Sequence, residues 1–127
     1  MYYKFKVSNI PGIKGILTYL TTAQNFAEAA QKIINLVGVD PNIEEIKWMK
    51  NFKPAINDKT KDSNRLYIVK IAEDINDEGV VKTIKYELPV FADNSEELHN
   101  IVKNYIEQGF WDMRLTTISE TKWIYVE

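Results

Sequence analysis

Few side chains in this sequence are suited to covalent chemistry, and their spacing decides most of what they can do. The one histidine, His99, falls between Leu98 and Asn100, toward the polar side of an apolar-periodic stretch. A general base needs an orienting carboxylate and a nucleophile within hydrogen-bond reach. Glu96 and Lys103 stand at helical spacing from His99, which describes a solvated helix face. Cysteine is absent, so disulfides, thiolate metal sites and cysteine nucleophiles are excluded together, and a single histidine cannot build a His-rich zinc site. Asp74-Ile75-Asn76-Asp77-Glu78-Gly79 sets oxygen ligands at alternate positions before a glycine, in the manner of a calcium loop. Its twelfth position, however, is Lys85 where a bidentate glutamate belongs, and strand-like runs flank it. A hairpin turn with Gly79 at positive φ is the expectation. Glu44-Glu45 and Glu96-Glu97 are adjacent carboxylates, which diverge on a strand or helix and cannot act on one bond. No phosphate-cradling glycine loop or nucleophile elbow occurs. The expectation is a protein that is not an enzyme, with no catalytic residue, no metal and no cofactor.

The elements that would position any site come in two matched sets. Tyr3-Lys4-Phe5-Lys6-Val7 alternates with period two, a half-buried strand, and Ile16 to Leu20 is a second apolar run after the Pro11-Gly12 turn signal. Asn25 with Glu28 three positions on is a capping-box arrangement. Phe26, Ala29, Ala30, Ile33, Ile34 and Val37 then give an amphipathic helix that Gly38 is placed to end. Ile43 to Met49 reads as a third strand with Ile46 and Trp48 on one face. From Leu66 the order returns: strand Leu66–Ile71, the Asp74–Gly79 turn, strand Val80–Leu88, cap Asn94 with Glu97, and a helix with the stripe Leu98, Ile101, Val102, Tyr105 and Ile106. Gly109 is the expected stop, and Leu115 to Val126 supplies a closing strand or pair of short strands.

The sequence therefore predicts an α+β fold made of two strand-strand-helix-strand repeats, about 1–50 and 65–127. A polar linker over 51–64 joins them, with Asp58 to Asp62 as a solvated connection. Neither half carries enough apolar residues for a core of its own. Both are expected to share one largely antiparallel sheet within a single domain, 1–127, with the two helices on one face. The length of 127 residues suits one compact domain.

The pattern resembles an uncharacterised tandem-repeat domain family of Bacteroidales bacteria and their crAss-like gut phages. The resemblance lies in Arg65-Leu66-Tyr67-Ile68-Val69-Lys70-Ile71 with its acidic-Gly turn, and in Ile118-Ser119-Glu120-Thr121, and it extends over most of the chain. It implies two hairpin–helix–strand repeats and a phage or Bacteroidales origin, and carries no activity, substrate or catalytic residue.

Charge excludes little and favours nothing: sixteen basic against eighteen acidic residues leave a net charge of −2, pointing to neither nucleic acid nor an anionic membrane. The opening segment interleaves charge with apolar groups, unlike a signal peptide, and no run approaches the roughly 20 apolar residues needed to span a bilayer. A cytoplasmic protein with no membrane association is expected. The informative surface is the sheet face away from the helices. If Tyr3, Phe5 and Val7 face the core, alternation sends Tyr2, Lys4 and Lys6 outward, with Lys85, Trp123 and Tyr125 on the same kind of face. Exposed Trp and Tyr are favoured interface anchors, and unpaired strand edges invite association, so the leading expectation is a small binding protein. It would act through protein–protein contacts of an open sheet face or edge, its partner another protein or a second copy as a homodimer. The alternative is a single-stranded nucleic-acid accessory protein, with bases stacked on the rings and lysines tracking phosphates.

Overall fold

Two sheets, each with one helix against it, make up the fold of the computed structural model, which describes residues 1–38, 41–56, 65–109 and 112–127. Among those residues lie seven strands and two helices: β1 Tyr2–Ser8, β2 Leu17–Thr22, α1 Phe26–Val37, β3 Asn42–Trp48, β4 Arg65–Asp77, β5 Val80–Ala92, α2 Ser95–Glu107, β6 Asp112–Glu120 and β7 Ile124–Val126. The class is α+β, with mostly antiparallel strands. The single shared sheet expected from the sequence is corrected to two, because apart from β7 the strands of each half pair among themselves, and each sheet gains its own core. The chain divides into two compact units, Met1–Lys50 with Lys122–Glu127, and Asn51–Thr121.

The first unit has strand order β3-β1-β2-β7. Its core is the inward parity of β1, Tyr3, Phe5 and Val7, closed by Tyr19, Ala23, Ala29 and Ile33, with Ile43 and Val126 packed at its margin. Helix α1 lies over β1 and β2. Asn25 caps it in extended backbone, its Oδ1 accepting the Glu28 N–H at 2.8 Å, and Glu28 reaches back to the Gln24 N–H, a capping box worth about 1 kcal/mol. Gly38, at φ 89°, ends the helix by donating to the Ile34 carbonyl. Strand β7, assigned by the sequence reading to the second repeat, pairs in parallel with β2 in this unit.

The second unit has strand order β5-β4-β6. Tyr67, Val69, Ile71, Tyr86, Leu88 and Val90 form its core with Leu98 and Val102 of α2. Asn94 accepts the Glu97 N–H at 2.9 Å, and Glu97 in turn accepts from the Asp93 N–H. The hairpin turn is tighter than Asp74–Gly79. The strands run on to Asp77 and Val80, leaving Glu78 and Gly79 as the two loop residues, both at positive φ, the type I′ requirement. Gly109 follows the cap residue Gln108 without a positive φ. A Cβ there would meet the end of the Met113 side chain, which is flexible enough to give way. The first part of the expected linker is structured, since Phe52 and Ile56 form parallel bridges to Glu87 and Val90 of β5. The Asp58–Asp62 segment lies outside the described residues.

Candidate functional site: the sheet faces and the β3 edge

The lysines singled out in β1 belong to an ion-pair cluster. Glu45, across the sheet in β3, meets Lys6 Nζ at 3.3 Å and Lys4 Nζ at 3.7 Å. The hydrogen bond from Lys6, then the charge of Lys4, hold the Glu45 carboxyl below the usual glutamate range. Lys4 also lies over the Trp123 ring, 5.5 Å from its centroid, and its side chain is only 14% exposed. Leu20, opposite Lys4 in β2 and Tyr125 in β7, is fully buried on this same face. Tyr2, Trp123 and Tyr125 are half-buried. The structure therefore gathers Tyr2, Lys4, Lys6, Trp123 and Tyr125 on the face of the first sheet away from α1.

Lys85 stands elsewhere. It is exposed in the second unit, beside a 190 Å³ hollow lined also by Lys70, Glu87 and Thr116. On that sheet's face away from α2, Leu66, Ile68, Pro89 and Phe91 are buried too. His99 is exposed, its Nδ1 2.6 Å from the Ser95 carbonyl one turn back, on an open groove of 400 Å³ with Lys103, Ile106 and Leu115. Among the described residues no three His, Cys, Asp or Glu side chains come together as a metal site, and no helix is long and apolar enough to cross a membrane.

Asp74, first of the supposed calcium ligands, is committed inside the sheet. It accepts from Arg114 of β6 and from the Thr83 hydroxyl at 2.7 Å. Those bonds, Arg114 first, hold its carboxyl below the ordinary aspartate value. A lowered native pKa contributes stability above the unfolded value, and that contribution is lost as pH falls through the native one. The melting-temperature difference between wild type and Asp74→Asn should therefore be present at neutral pH. It should vanish as the pH is taken below the ordinary value of about 3.9.

The feature that residue-by-residue reading missed is the outer edge of β3. Ile46 and Trp48 share the core parity, opposite Phe5 and Tyr3, yet are 41% and 47% exposed because α1 covers β1 and β2. Phe26 and Ile34 of α1 are also exposed, and the Phe26 ring stands 4.7 Å from that of Tyr3. Ile46 and Trp48 thus stand exposed on a strand whose outer side has no neighbour among the described residues. The signal was present in the pairing of Ile46 with Trp48, but their exposure depends on where the helix lies.

No protein-family model, curated protein or solved structure matches the chain.

Proposed function

We propose that this is a non-enzymatic binding protein that works through protein–protein contacts, built by duplication of a strand-strand-helix-strand unit. The duplication is supported by the equivalent strand orders β3-β1-β2 and β6-β4-β5, by caps with nearly identical backbone angles at Asn25 and Asn94, and by register shifts at Lys6/Val7 and Lys70/Ile71. The Bacteroidales or gut-phage origin and cytoplasmic location belong to the same proposal and rest on the sequence resemblance and composition.

One observation carries the functional reading, the difference between the two units at equivalent places. Aligned on caps and register shifts, Phe26, Ile34, Ile46 and Trp48 correspond to Ser95, Lys103, Ile118 and Glu120. At three of these four places the second unit is polar; the exception, Ile118, is half-buried against its core, and the apolar residue that β6 exposes is Leu115, beside α2. Exposed apolar residues beside an unpaired edge are the surface of a strand-adding or helix-docking contact. The nucleic-acid reading is weaker, since Lys4 and Lys6 share Glu45 and Lys4 is largely covered.

The test is affinity capture with cross-linking, comparing wild-type bait with Trp48→Lys and Trp123→Ala baits matched for folding by circular dichroism. Partners recovered on wild type should fall at least tenfold on Trp48→Lys and persist on Trp123→Ala. Equal recovery on Trp48→Lys overturns the edge reading, and loss only on Trp123→Ala moves the site to the sheet face. Anisotropy of labelled single-stranded DNA and RNA should stay flat at low salt. A steep salt-sensitive rise would favour nucleic acid instead.

A further inference from the structure

We infer that the occupant of the β3 edge is a second copy of this chain, joined by antiparallel β3–β3 pairing about a two-fold axis at Ile46. The inference deepens the protein-contact reading and rests on it. It begins with backbone direction. The Met49 N–H donates to the Tyr2 carbonyl at 2.9 Å, so the Tyr2–Met49 pair is hydrogen-bonded. Antiparallel pairs alternate between hydrogen-bonded and non-bonded, which makes Tyr3–Trp48 and Phe5–Ile46 pairs of the other kind. Ile46 and Trp48 therefore aim their N–H and C=O groups away from β1, at the free edge.

A two-fold axis normal to the sheet keeps both copies of α1 on one face and pairs residues whose numbers share parity. Centred on Ile46, it makes Ile46 opposite Ile46 a hydrogen-bonded pair, using the groups that point outward. It sets Glu45 opposite Lys47 of the second copy, twice, in the closer non-bonded spacing where opposite charges are favourable. Centring on Glu45 or Lys47 would instead face like charges on the axis. The chosen register also sets the exposed Ile46 of one copy against that of the other, with each Trp48 opposite Glu44 and diagonal to Ile46 of the second copy. Backbone direction permits a centre at Ile46 or at Trp48, the charge pattern selects Ile46 because a centre at Trp48 faces Lys47 with Met49, and that register is self-complementary as a closed dimer requires.

The charge pair supplies the experiment. In sedimentation equilibrium the wild-type chain should reach twice its 14.8 kDa mass and dissociate on dilution. Lys47→Glu alone should be monomeric, with carboxylates facing across both pairs, and so should Glu45→Lys alone, with ammonium groups facing. Their equimolar mixture should recover the dimer, because each pair is then again of opposite sign. Because Glu45→Lys also disturbs the Lys4 and Lys6 contacts, a second variant stands independent of it. The chain has no cysteine, and Ile46→Cys would place the only two thiols on a pair of Cα atoms about 5.5 Å apart, within disulfide reach. Mild oxidation should give a covalent dimer from Ile46→Cys and none from an exposed control such as Lys82→Cys. A wild-type chain monomeric at every concentration, or a dimer indifferent to Lys47→Glu and unlinked by Ile46→Cys, overturns the inference. In the first case, capture of another protein that still depends on Trp48 would leave the broader reading standing. Loss of that dependence as well would remove both.

Discussion

Ile33→Ala should lower stability by about 2–5 kcal/mol, and Leu98→Ala by a similar amount, whereas Ile101→Ala should cost only about 1 kcal/mol. The sequence pattern treats Ile33 and Ile101 as equivalents, each within an apolar helical stripe. Burial separates them. Ile33 is fully enclosed among Phe5, Val7 and Tyr19, and truncation leaves a cavity that a β-sheet core cannot readily collapse. Ile101 is half-buried at the rim of the second core, where solvent already reaches the side chain and fills the space it vacates. Urea unfolding followed by circular dichroism measures all three variants. Equal losses for Ile33→Ala and Ile101→Ala would mean that α2 is rotated on its sheet relative to the structure.

The Ile33–Ile101 contrast marks the limit of what was legible in the residues. Asn25 with Glu28 and Asn94 with Glu97 were readable because a cap is a local device: the bonds span three or four residues, and no distant contact can supply them. The alternation of Tyr3, Phe5 and Val7 was readable for the same reason. The stripe of α2 was readable as a stripe, but it spans more of the helix than one sheet covers. Periodicity cannot say whether Leu98 or Ile101 faces inward. The allocation of strands to two sheets was not legible at all. It depends on long-range pairing, and a strand's own residues carry only its parity. At the candidate site, parity puts Tyr2, Lys4, Lys6, Trp123 and Tyr125 on one face but could not show that Lys85 belongs to the other sheet, and the cover over Leu20 and the share of Glu45 taken by two lysines appear only in three dimensions. The exposure of Ile46 and Trp48 was hidden for the converse reason: they look like core residues, and they lack only a helix above them.

Strand β7 gives the second large expected effect. Deleting residues 122–127 should destabilise the first unit by at least about 2 kcal/mol. Four losses add in that estimate. The parallel pairing of Tyr19, Leu20 and Thr21 with Ile124, Tyr125 and Val126 disappears, and with it the backbone bonds of one side of β2. Val126 leaves the margin of the first core. The Thr21 hydroxyl, fully buried and donating to the Val126 carbonyl at 2.8 Å, loses its acceptor. The Trp123 ring over Lys4 is removed at the same time, which opens the face on which Leu20 is enclosed. Thr21→Val in the full chain isolates the hydroxyl and should cost less than the deletion, because the strand pairing remains. Hydrogen exchange resolves the question by residue: amide protection in β2 should collapse in the deletion and persist in Thr21→Val. Undiminished protection of Tyr19 to Thr21 after deletion would show that β2 closes the sheet without β7. Paired with the β3 experiments, this one tests whether the first sheet has one edge committed within the chain and the other left for a second copy.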